Sequence, residues 1–218
     1  MKNTKKIFAV MLCLLLMLTP LVSVVDAVTV HAATETVKVK KDKETGEYYG
    51  YNADNEKVVS QWGVTASGYR YYFGKDGVAY QADKSMGGSH CIVIKTINKK
   101  KYAFDVSGRM VTGARVGSTS LYGRQQIFYF NPKTGVYDAA KTAKFRKAAT
   151  QSTAKKPNSA VTIKKLLGKA KKVKVSKNSC FLDGNGKDVQ YIYDHLVLSV
   201  FRPNGSKKEL VESVTLRF

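Results

Sequence analysis

Hydrophobic and polar positions alternate along most of the chain, in short runs that are separated by Gly, Asn and Asp. The clearest run is GYRYYFGKDG, in which Tyr69, Tyr71 and Phe73 are each separated by one residue. A period of two places these three rings on one face of a β-strand. Residues 74–77 then predict a turn, because Gly77 can adopt a positive φ angle. The pattern therefore predicts an aromatic strand that ends in a turn.

The same pattern occurs four times. In each copy an aromatic-x-aromatic pair precedes a turn rich in Asn, Asp and Gly, and the pairs are Tyr49/Tyr51, Tyr71/Phe73, Tyr102/Phe104 and Phe128/Phe130. We predict partner strands in residues 37–40, 61–65, 91–97 and 119–121, which makes each copy a β-hairpin. Because one hairpin cannot bury its aromatic face alone, we expect the copies to stack as a small solenoid.

The segments GYRYYFGKDG, KKYAFDVSGRMVTG and QIFYFNPKTG resemble the cell-wall-binding repeats of Gram-positive bacteria, of the choline-binding and glucan-binding type. The resemblance covers about residues 36–138. In that family a Trp after the turn joins aromatic residues of the adjoining hairpin in a small cage. Such a cage attracts a quaternary ammonium to its ring faces or stacks on a sugar. The resemblance therefore implies choline, a glucan or teichoic acid as the ligand.

Trp62 is the only Trp of the chain, and Ala114 stands where the third repeat would carry one. The resemblance thus implies at most one cage, formed by Trp62 with Tyr71 or Tyr72, and Tyr49 is a further candidate ring. The alternative is that the aromatic side chains only form the core of the solenoid. Three rings are expected in that core: Phe73, Phe104 and Phe130.

The N-terminus has the pattern of an export signal. Three lysines precede an apolar run over residues 7–25, and Val-His-Ala at residues 30–32 predicts a cleavage site. Residues 1–33 are therefore predicted to be a signal peptide, and the alternative is a retained membrane anchor. After cleavage we expect no transmembrane span. Export leaves Cys91 and Cys180 in a thiol-poor exterior, but the sequence leaves open whether they pair.

The chain is strongly basic, with 37 Lys and Arg against 16 Asp and Glu, or a net charge of +21. A charge of this size bears on partners rather than on fold. Outside the cell the polyanions are teichoic acids, phospholipid headgroups and acidic glycans, so we expect no physiological nucleic acid partner. Candidate polyanion-binding lysines lie in a hairpin turn and around a predicted helix: Lys99, Lys100, Lys101, Lys164, Lys165, Lys171 and Lys172.

The composition changes after residue 138. Residues 139–158 are rich in Ala, Lys, Ser and Thr, which predicts a basic linker with a short helix over residues 139–149. Ser159 then predicts a helix N-cap and Gly168 a helix end. Four apolar residues of that helix fall on one face: Val161, Ile163, Leu166 and Leu167.

Short alternating segments follow the helix, at residues 172–175, 180–182, 189–193, 196–201 and 210–218. They predict three to four antiparallel strands in a small α+β domain over residues 159–218. IKKLLGKAKKVKVSKNSC and the tyrosines of VQYIY resemble, more weakly, small α+β modules of clostridial secreted proteins with a β-lactamase-inhibitor-like layout. The expected fold class is mainly β, with stacked β-hairpin solenoid-like repeats over residues 34–138 followed by this α+β interaction domain.

The sequence offers no catalytic constellation. His90 and Cys91 are adjacent, so on a strand they point to opposite faces. The acidic residues that stand out fall in turns, where hydrogen bonding to the backbone explains them. We therefore expect no enzyme, metal site or cofactor.

These observations predict an exported, non-catalytic protein, secreted or held at the cell wall, that binds wall polysaccharide or teichoic acid. In this interpretation the C-terminal domain engages a protein partner. The alternative is a secreted adhesin or inhibitor-like protein that acts through the C-terminal domain, with the repeats only as a spacer.

Overall fold

The computed structural model describes residues 34–83, 85, 90–119, 125–149, 157–179, 181–182 and 184–217. The predicted signal peptide and Cys180 lie outside these residues, and Cys91 is buried. Whether the two cysteines pair stays open. In the described part of the chain, no helix is long and apolar enough to cross a membrane.

Four antiparallel hairpins follow one another along the N-terminal half. They pair β2 (Lys38–Lys41) with β3 (Tyr48–Tyr51), β4 (Trp62–Val64) with β5 (Arg70–Tyr72), β6 (Ile92–Ile97) with β7 (Lys100–Asp105), and β8 (Gly113–Gly117) with β9 (Gln126–Phe130). The short strand β1 (Glu35–Thr36) extends the second hairpin by pairing with β4 in parallel.

The predicted partner strands of the first three hairpins are present, but the fourth prediction is wrong. Phe128 and Phe130 pair with Arg115 and Gly113, not with residues 119–121. The earlier segment pairs because it places Val116 in the protein core, where only 3% of its surface is exposed. The strand that the prediction missed, β8, lies where the repeat pattern placed the end of the third copy.

The same backbone hydrogen bond recurs between consecutive hairpins. In each case the segment after one turn donates to the second strand of the preceding hairpin: Ala79 to Tyr48 at 2.8 Å, Met110 to Arg70 at 2.7 Å, and Tyr137 to Lys101 at 2.8 Å. The rings of Phe73, Phe104 and Phe130 are fully buried between the units, as predicted. The mainly β fold class with solenoid-like repeats is therefore confirmed.

The turns of the four copies also match in backbone conformation. The residue at the equivalent place in each turn has a positive φ: Asn55 at 64°, Gly77 at 77°, Gly108 at 73° and Gly135 at 74°. Gly and Asn are the residues that adopt this conformation at least cost. The Asn and Gly residues seen in the sequence thus set the conformation of the turns.

In the described residues, the C-terminal part contains two helices and one antiparallel sheet. The helices are α1 (Ala139–Ala149) and α2 (Val161–Leu167). The sheet contains β10 (Lys172–Val175), β11 (Gly186–Ile192), β12 (Leu196–Pro203) and β13 (Leu210–Leu216), paired in that order. The strand predicted around Leu182 is wrong, because Leu182 has a φ of 54° and lies in a turn with 47% of its surface exposed.

Helix α1 belongs to the core. Phe145 is fully buried in a cluster with Val116 of the fourth hairpin and with Ile163, Val200 and Val211 of the C-terminal part. The helix predicted over residues 139–149 is present. It packs in the protein core through Phe145 and does not act as a solvent-exposed linker. The last hairpin and the α+β part therefore share one core.

Helix α2 differs from its prediction at the first turn. Its N-cap is Ala160, and the Ser159 hydroxyl accepts a hydrogen bond from the Val161 N–H at 3.4 Å. The apolar face is narrower than predicted, because Val161 is 72% exposed whereas Ile163 is fully buried. Gly168 ends the helix with a φ of 72°, as predicted.

Candidate ligand site in the aromatic hairpins

Five aromatic side chains of the second and third hairpins meet in one cluster, which we call the ring cluster: Trp62, Tyr72, Tyr80, Tyr102 and Phe104. The strand register places Trp62 directly opposite Tyr72, with ring centroids 5.3 Å apart. Tyr102, from the next hairpin, lies 4.9 Å from Trp62. Both contacts are edge-to-face, the geometry that aromatic quadrupoles favour.

The cluster has a buried base and exposed rings. Phe104 is fully buried, while Trp62, Tyr72, Tyr80 and Tyr102 are half-buried. Tyr80 lies 5.2 Å from Tyr72 and 5.8 Å from Phe104, so it closes the cluster on the side away from Trp62. Four partly exposed rings around one buried ring form an apolar stacking surface.

Polar groups lie at the edge of these rings. The Tyr72 hydroxyl donates to the backbone carbonyl of Ser60 at 3.3 Å. Burial raises the pKa of Tyr72 and of Tyr102, so both phenols are protonated at neutral pH. Tyr102 can donate a hydrogen bond to a ligand, whereas Tyr72, whose proton is directed at Ser60, can accept one. Lys95 stands opposite Tyr102 in the strand register, and its Nζ lies 5.3 Å from the ring centroid of Tyr80.

The structure brings together two of the predicted ligand-binding residues, Trp62 and Tyr72. Tyr71 instead lies in the core with 4% of its surface exposed, and its ring stacks on Phe73 at 6.2 Å. The reason is the alternation along β5, which sends neighbouring side chains to opposite faces. Tyr49 is outside the ring cluster, and Lys57 Nζ covers its ring at 4.1 Å from the centroid.

Sequence reasoning missed Tyr80, Tyr102 and Lys95. Tyr102 belongs to the third aromatic pair, so its contact with the second hairpin follows from the stacking of consecutive units. Tyr80 lies outside the aromatic pairs, and no sequence pattern pointed to it. Lys95 was missed because lysines were selected where they are dense along the chain, and the residue that faces each lysine on the neighbouring strand was not considered.

The predicted polyanion-binding lysines have different surroundings. Lys99 has a φ of 63° in the two-residue turn between β6 and β7, and Lys100 and Lys101 follow it, all exposed. Lys165 and Lys172 are also exposed, and Lys171 forms an ion pair with Asp194.

Lys164 is part of an internal network and not of an open surface. Its Nζ lies 2.7 Å from Glu209 Oε2 and 2.8 Å from the Tyr191 hydroxyl. Burial alone would lower the pKa of Lys164, but the hydrogen bonds with Glu209 and Tyr191 raise it overall. Lys164 is therefore charged, with its charge directed at Glu209.

The sequence matches no protein-family profile and no curated protein. Among solved structures, it is similar to the Cpl-1 endolysin complexed with a peptidoglycan analogue, with 16% identity and a TM-score of 0.35 over 48% of this chain and 25% of that one. Truncated alternansucrase from Leuconostoc mesenteroides matches with 17% identity and a TM-score of 0.35, over 84% of this chain and 13% of that one.

Choline binding protein F from Streptococcus pneumoniae matches with 21% identity and a TM-score of 0.18, over 48% of this chain and 35% of that one. The chain thus spans about a third or less of the length of each of these three proteins. At these TM-scores the similarity carries no functional conclusion, and the proposal below rests on the residues of this chain.

Proposed function

We propose that this chain is an exported, non-catalytic protein of the Gram-positive cell wall, and that its ring cluster binds wall carbohydrate. The observation that carries the proposal is the meeting of four half-exposed rings from two consecutive hairpins above the buried Phe104. A sugar has apolar C–H faces that stack on such rings, and its hydroxyls can bond to the phenols at the edge. The resemblance of the repeats to wall-binding repeats supports the choice of ligand.

The charge at the cluster favours a sugar over a quaternary ammonium. Lys95 already places an ammonium group near the face of Tyr80. A second cation at the same rings would be repelled by this charge, whereas a neutral sugar would not. The Lys95 ammonium can also donate hydrogen bonds to sugar hydroxyls. We therefore assign carbohydrate, and not choline, to the ring cluster.

The net charge of +21 adds attraction to teichoic acid in this proposal. Attraction between exposed charges is screened by salt, whereas stacking on rings is much less affected. Salt therefore separates the two contributions to wall binding.

The test is co-sedimentation of the purified protein with Gram-positive walls, at low and high salt, before and after extraction of teichoic acid. The whole protein is used because the last hairpin and the C-terminal part share a core. Tyr102→Leu and Trp62→Leu remove ring surface from the cluster and retain an apolar side chain. We expect each to weaken the salt-resistant binding about tenfold, the loss of one good stacking contact.

Tyr51→Leu is the matched control, because Tyr51 is a half-buried hairpin tyrosine outside the ring cluster with Lys40 Nζ 4.6 Å from its ring centroid. It should bind walls like the unmodified protein. Free choline should not release the bound protein. If high salt or removal of teichoic acid abolishes all binding, or if the cluster variants bind like the control, the carbohydrate site is refuted.

A further inference from the structure

A cleft of about 450 Å³ opens where the second, third and fourth hairpins meet the turn between β11 and β12. Its lining is strongly basic. Among the described residues, the lining includes four basic side chains, Arg70, Arg109, Arg115 and Lys133, together with His195 and one carboxylate, Asp105. The cleft is distinct from the ring cluster, and it contains none of the lysines that the sequence pattern singled out.

Arg115 is the buried member of this lining. It lies on β8 opposite Phe128, and only 7% of its surface is exposed. Burial lowers the pKa of Arg115, while the nearby charge of Asp105 acts in the opposite direction. Burying a guanidinium group costs free energy that a nearby anion offsets. Asp105 already supplies part of this compensation, and an anion bound in the cleft would add to it.

Arg70 and Arg109 are held in position at the exposed edge. Arg70 Nη1 donates a hydrogen bond to the Lys133 carbonyl at 3.4 Å. This bond links the second hairpin to the turn that follows β9. The Arg109 guanidinium stacks on Tyr69, with 3.9 Å between Cζ and the ring centroid. Side chains already held by such contacts lose less entropy when a ligand binds.

The one carboxylate of the cleft has a structural role. Asp105 Oδ1 accepts hydrogen bonds from the backbone N–H groups of Ser107 at 2.8 Å and Arg109 at 3.0 Å. Asp105 thereby stabilises the turn that follows β7. Within the described residues, neither Arg70 nor Arg109 forms an ion pair with a carboxylate.

We propose that this cleft binds a phosphate group, namely the phosphodiester unit of an anionic polymer or headgroup. Guanidinium groups bind phosphate through paired, charge-assisted hydrogen bonds. A phosphodiester has two charged oxygens and two weakly accepting ester oxygens around a tetrahedral phosphorus, so three guanidinium groups can approach it from different directions, whereas the two oxygens of a carboxylate lie in one plane. The volume suits a phosphate with an attached polyol. This site lies beyond the proposed carbohydrate site and gives the affinity for polyanions a defined place.

The test measures binding of a fluorescent glycerol phosphate oligomer to the purified protein by anisotropy, at constant ionic strength. Arg70→Gln and Arg109→Gln each remove one charge at the edge of the cleft, and we expect an affinity loss of about tenfold for each. Lys43→Gln removes the same charge from an exposed turn elsewhere. This matched control should change the affinity less than about twofold, as expected for one exposed charge.

Arg115→Met serves as the buried variant, and its near-ultraviolet circular dichroism reports whether it has folded. Inorganic phosphate should compete with the oligomer in the unmodified protein. An oligoglutamate of equal charge should bind at least about tenfold more weakly, because its planar carboxylates cannot be approached by three guanidinium groups from different directions. Parallel assays with phosphatidylglycerol vesicles show whether a lipid headgroup or a soluble polymer is the better source of the phosphodiester.

Equal losses of affinity in Arg70→Gln and Lys43→Gln would overturn the proposal, because binding would then depend on net charge alone. Equal binding of oligoglutamate would overturn it as well. The carbohydrate proposal fails separately, since it depends on wall binding by Tyr102→Leu and not on the arginines. Arg70→Gln should retain salt-resistant binding to walls from which teichoic acid has been extracted.

Discussion

The backbone of Gly50 lies directly against the ring of Phe73. A Cβ atom at residue 50 would lie 2.6 Å from Phe73 Cε2 and 2.9 Å from Cε1, closer than real Cβ atoms approach. Gly63 approaches the same ring from within the second hairpin, to which Phe73 also belongs, and its Cβ would lie 2.9 Å from Cε2. The first hairpin can therefore pack closely on the Phe73 ring because glycine stands at residue 50.

Gly50→Ala is expected to destabilise the protein by about 1–3 kcal/mol, the usual cost of overpacking a core. The same change in a Phe73→Leu background should cost less, because the ring that clashes is absent. Urea unfolding of the two single variants and the double variant measures this coupling. Additive effects, or a stable Gly50→Ala protein, would contradict the close contact.

This contact shows which part of the fold the sequence could predict. The aromatic pairs and the Asn and Gly turns indicated the hairpins, because strand alternation and positive φ are local properties. Gly50 and Gly63 carried no such signal, since their role depends on a ring in another strand. The repeat unit and the buried ring of Phe73 were thus predictable, and the glycines that let the backbone approach that ring were not.

The same distinction applies to the candidate site. Trp62 and Tyr72 were found because they face each other across one hairpin. Tyr71 was misplaced because both neighbouring tyrosines were considered, although only one shares the face of Trp62. The basic cleft was missed entirely, since Arg70 is far in sequence from Arg109 and Arg115 and meets them only when the hairpins stack.

Tyr49 provides a prediction on titration. Its hydroxyl donates to Glu47 Oε2 at 2.7 Å, and this hydrogen bond raises the pKa of Tyr49 to about 12 from the ordinary 10.0. Ionisation would place a phenolate beside a carboxylate. Glu47→Gln removes that negative charge, so the pKa should fall towards the ordinary value.

The measurement is the phenolate absorbance during a titration with base, with Tyr49→Phe to assign the signal. A matched control is Glu44→Gln, which removes an exposed charge from the same turn and should leave the titration of Tyr49 almost unchanged. Titration of Tyr49 near 10 in the unmodified protein would contradict the hydrogen bond.

Glu209 provides a prediction on the pH dependence of stability. Its carboxylate, with 9% of the side chain exposed, accepts from Lys164 at 2.7 Å, Tyr191 at 2.6 Å and Arg202 at 2.5 Å. Burial alone would raise the pKa of Glu209, but these three hydrogen bonds lower it below the ordinary 4.5. The resulting stability is fully present above pH 4.5 and is lost as the pH falls through the lowered pKa.

Glu209→Gln should therefore cost about 1–3 kcal/mol at neutral pH, the range for losing a charged partner of buried hydrogen bonds. The difference from the unmodified protein should shrink in acid, as measured by urea unfolding at several pH values. Glu212 lies on the same strand and is a control for which the opposite effect on stability is expected. Burial, followed by the negative charge of Asp188, raises the pKa of Glu212. Glu212→Gln should stabilise the protein at neutral pH. A cost of Glu209→Gln that does not vary with pH would exclude the charged network.

Phe145 tests whether α1 is part of the core. Its ring is fully buried among residues of the fourth hairpin and the C-terminal sheet. Phe145→Ala should destabilise the protein by about 3–5 kcal/mol, the cost of removing a buried aromatic side chain. Lys144→Ala, at an exposed position of the same helix, should change stability by no more than about 0.5 kcal/mol.

The shared core also predicts how the protein unfolds. Because Val116 of β8 and Val211 of β13 belong to one cluster with Phe145, the last hairpin and the C-terminal sheet should unfold in a single transition. The hydrogen-exchange rates of the backbone amides in β8 and β12 should then change together in Phe145→Ala. If helix α1 were only a linker, Phe145→Ala would leave stability unchanged and the two segments would exchange independently.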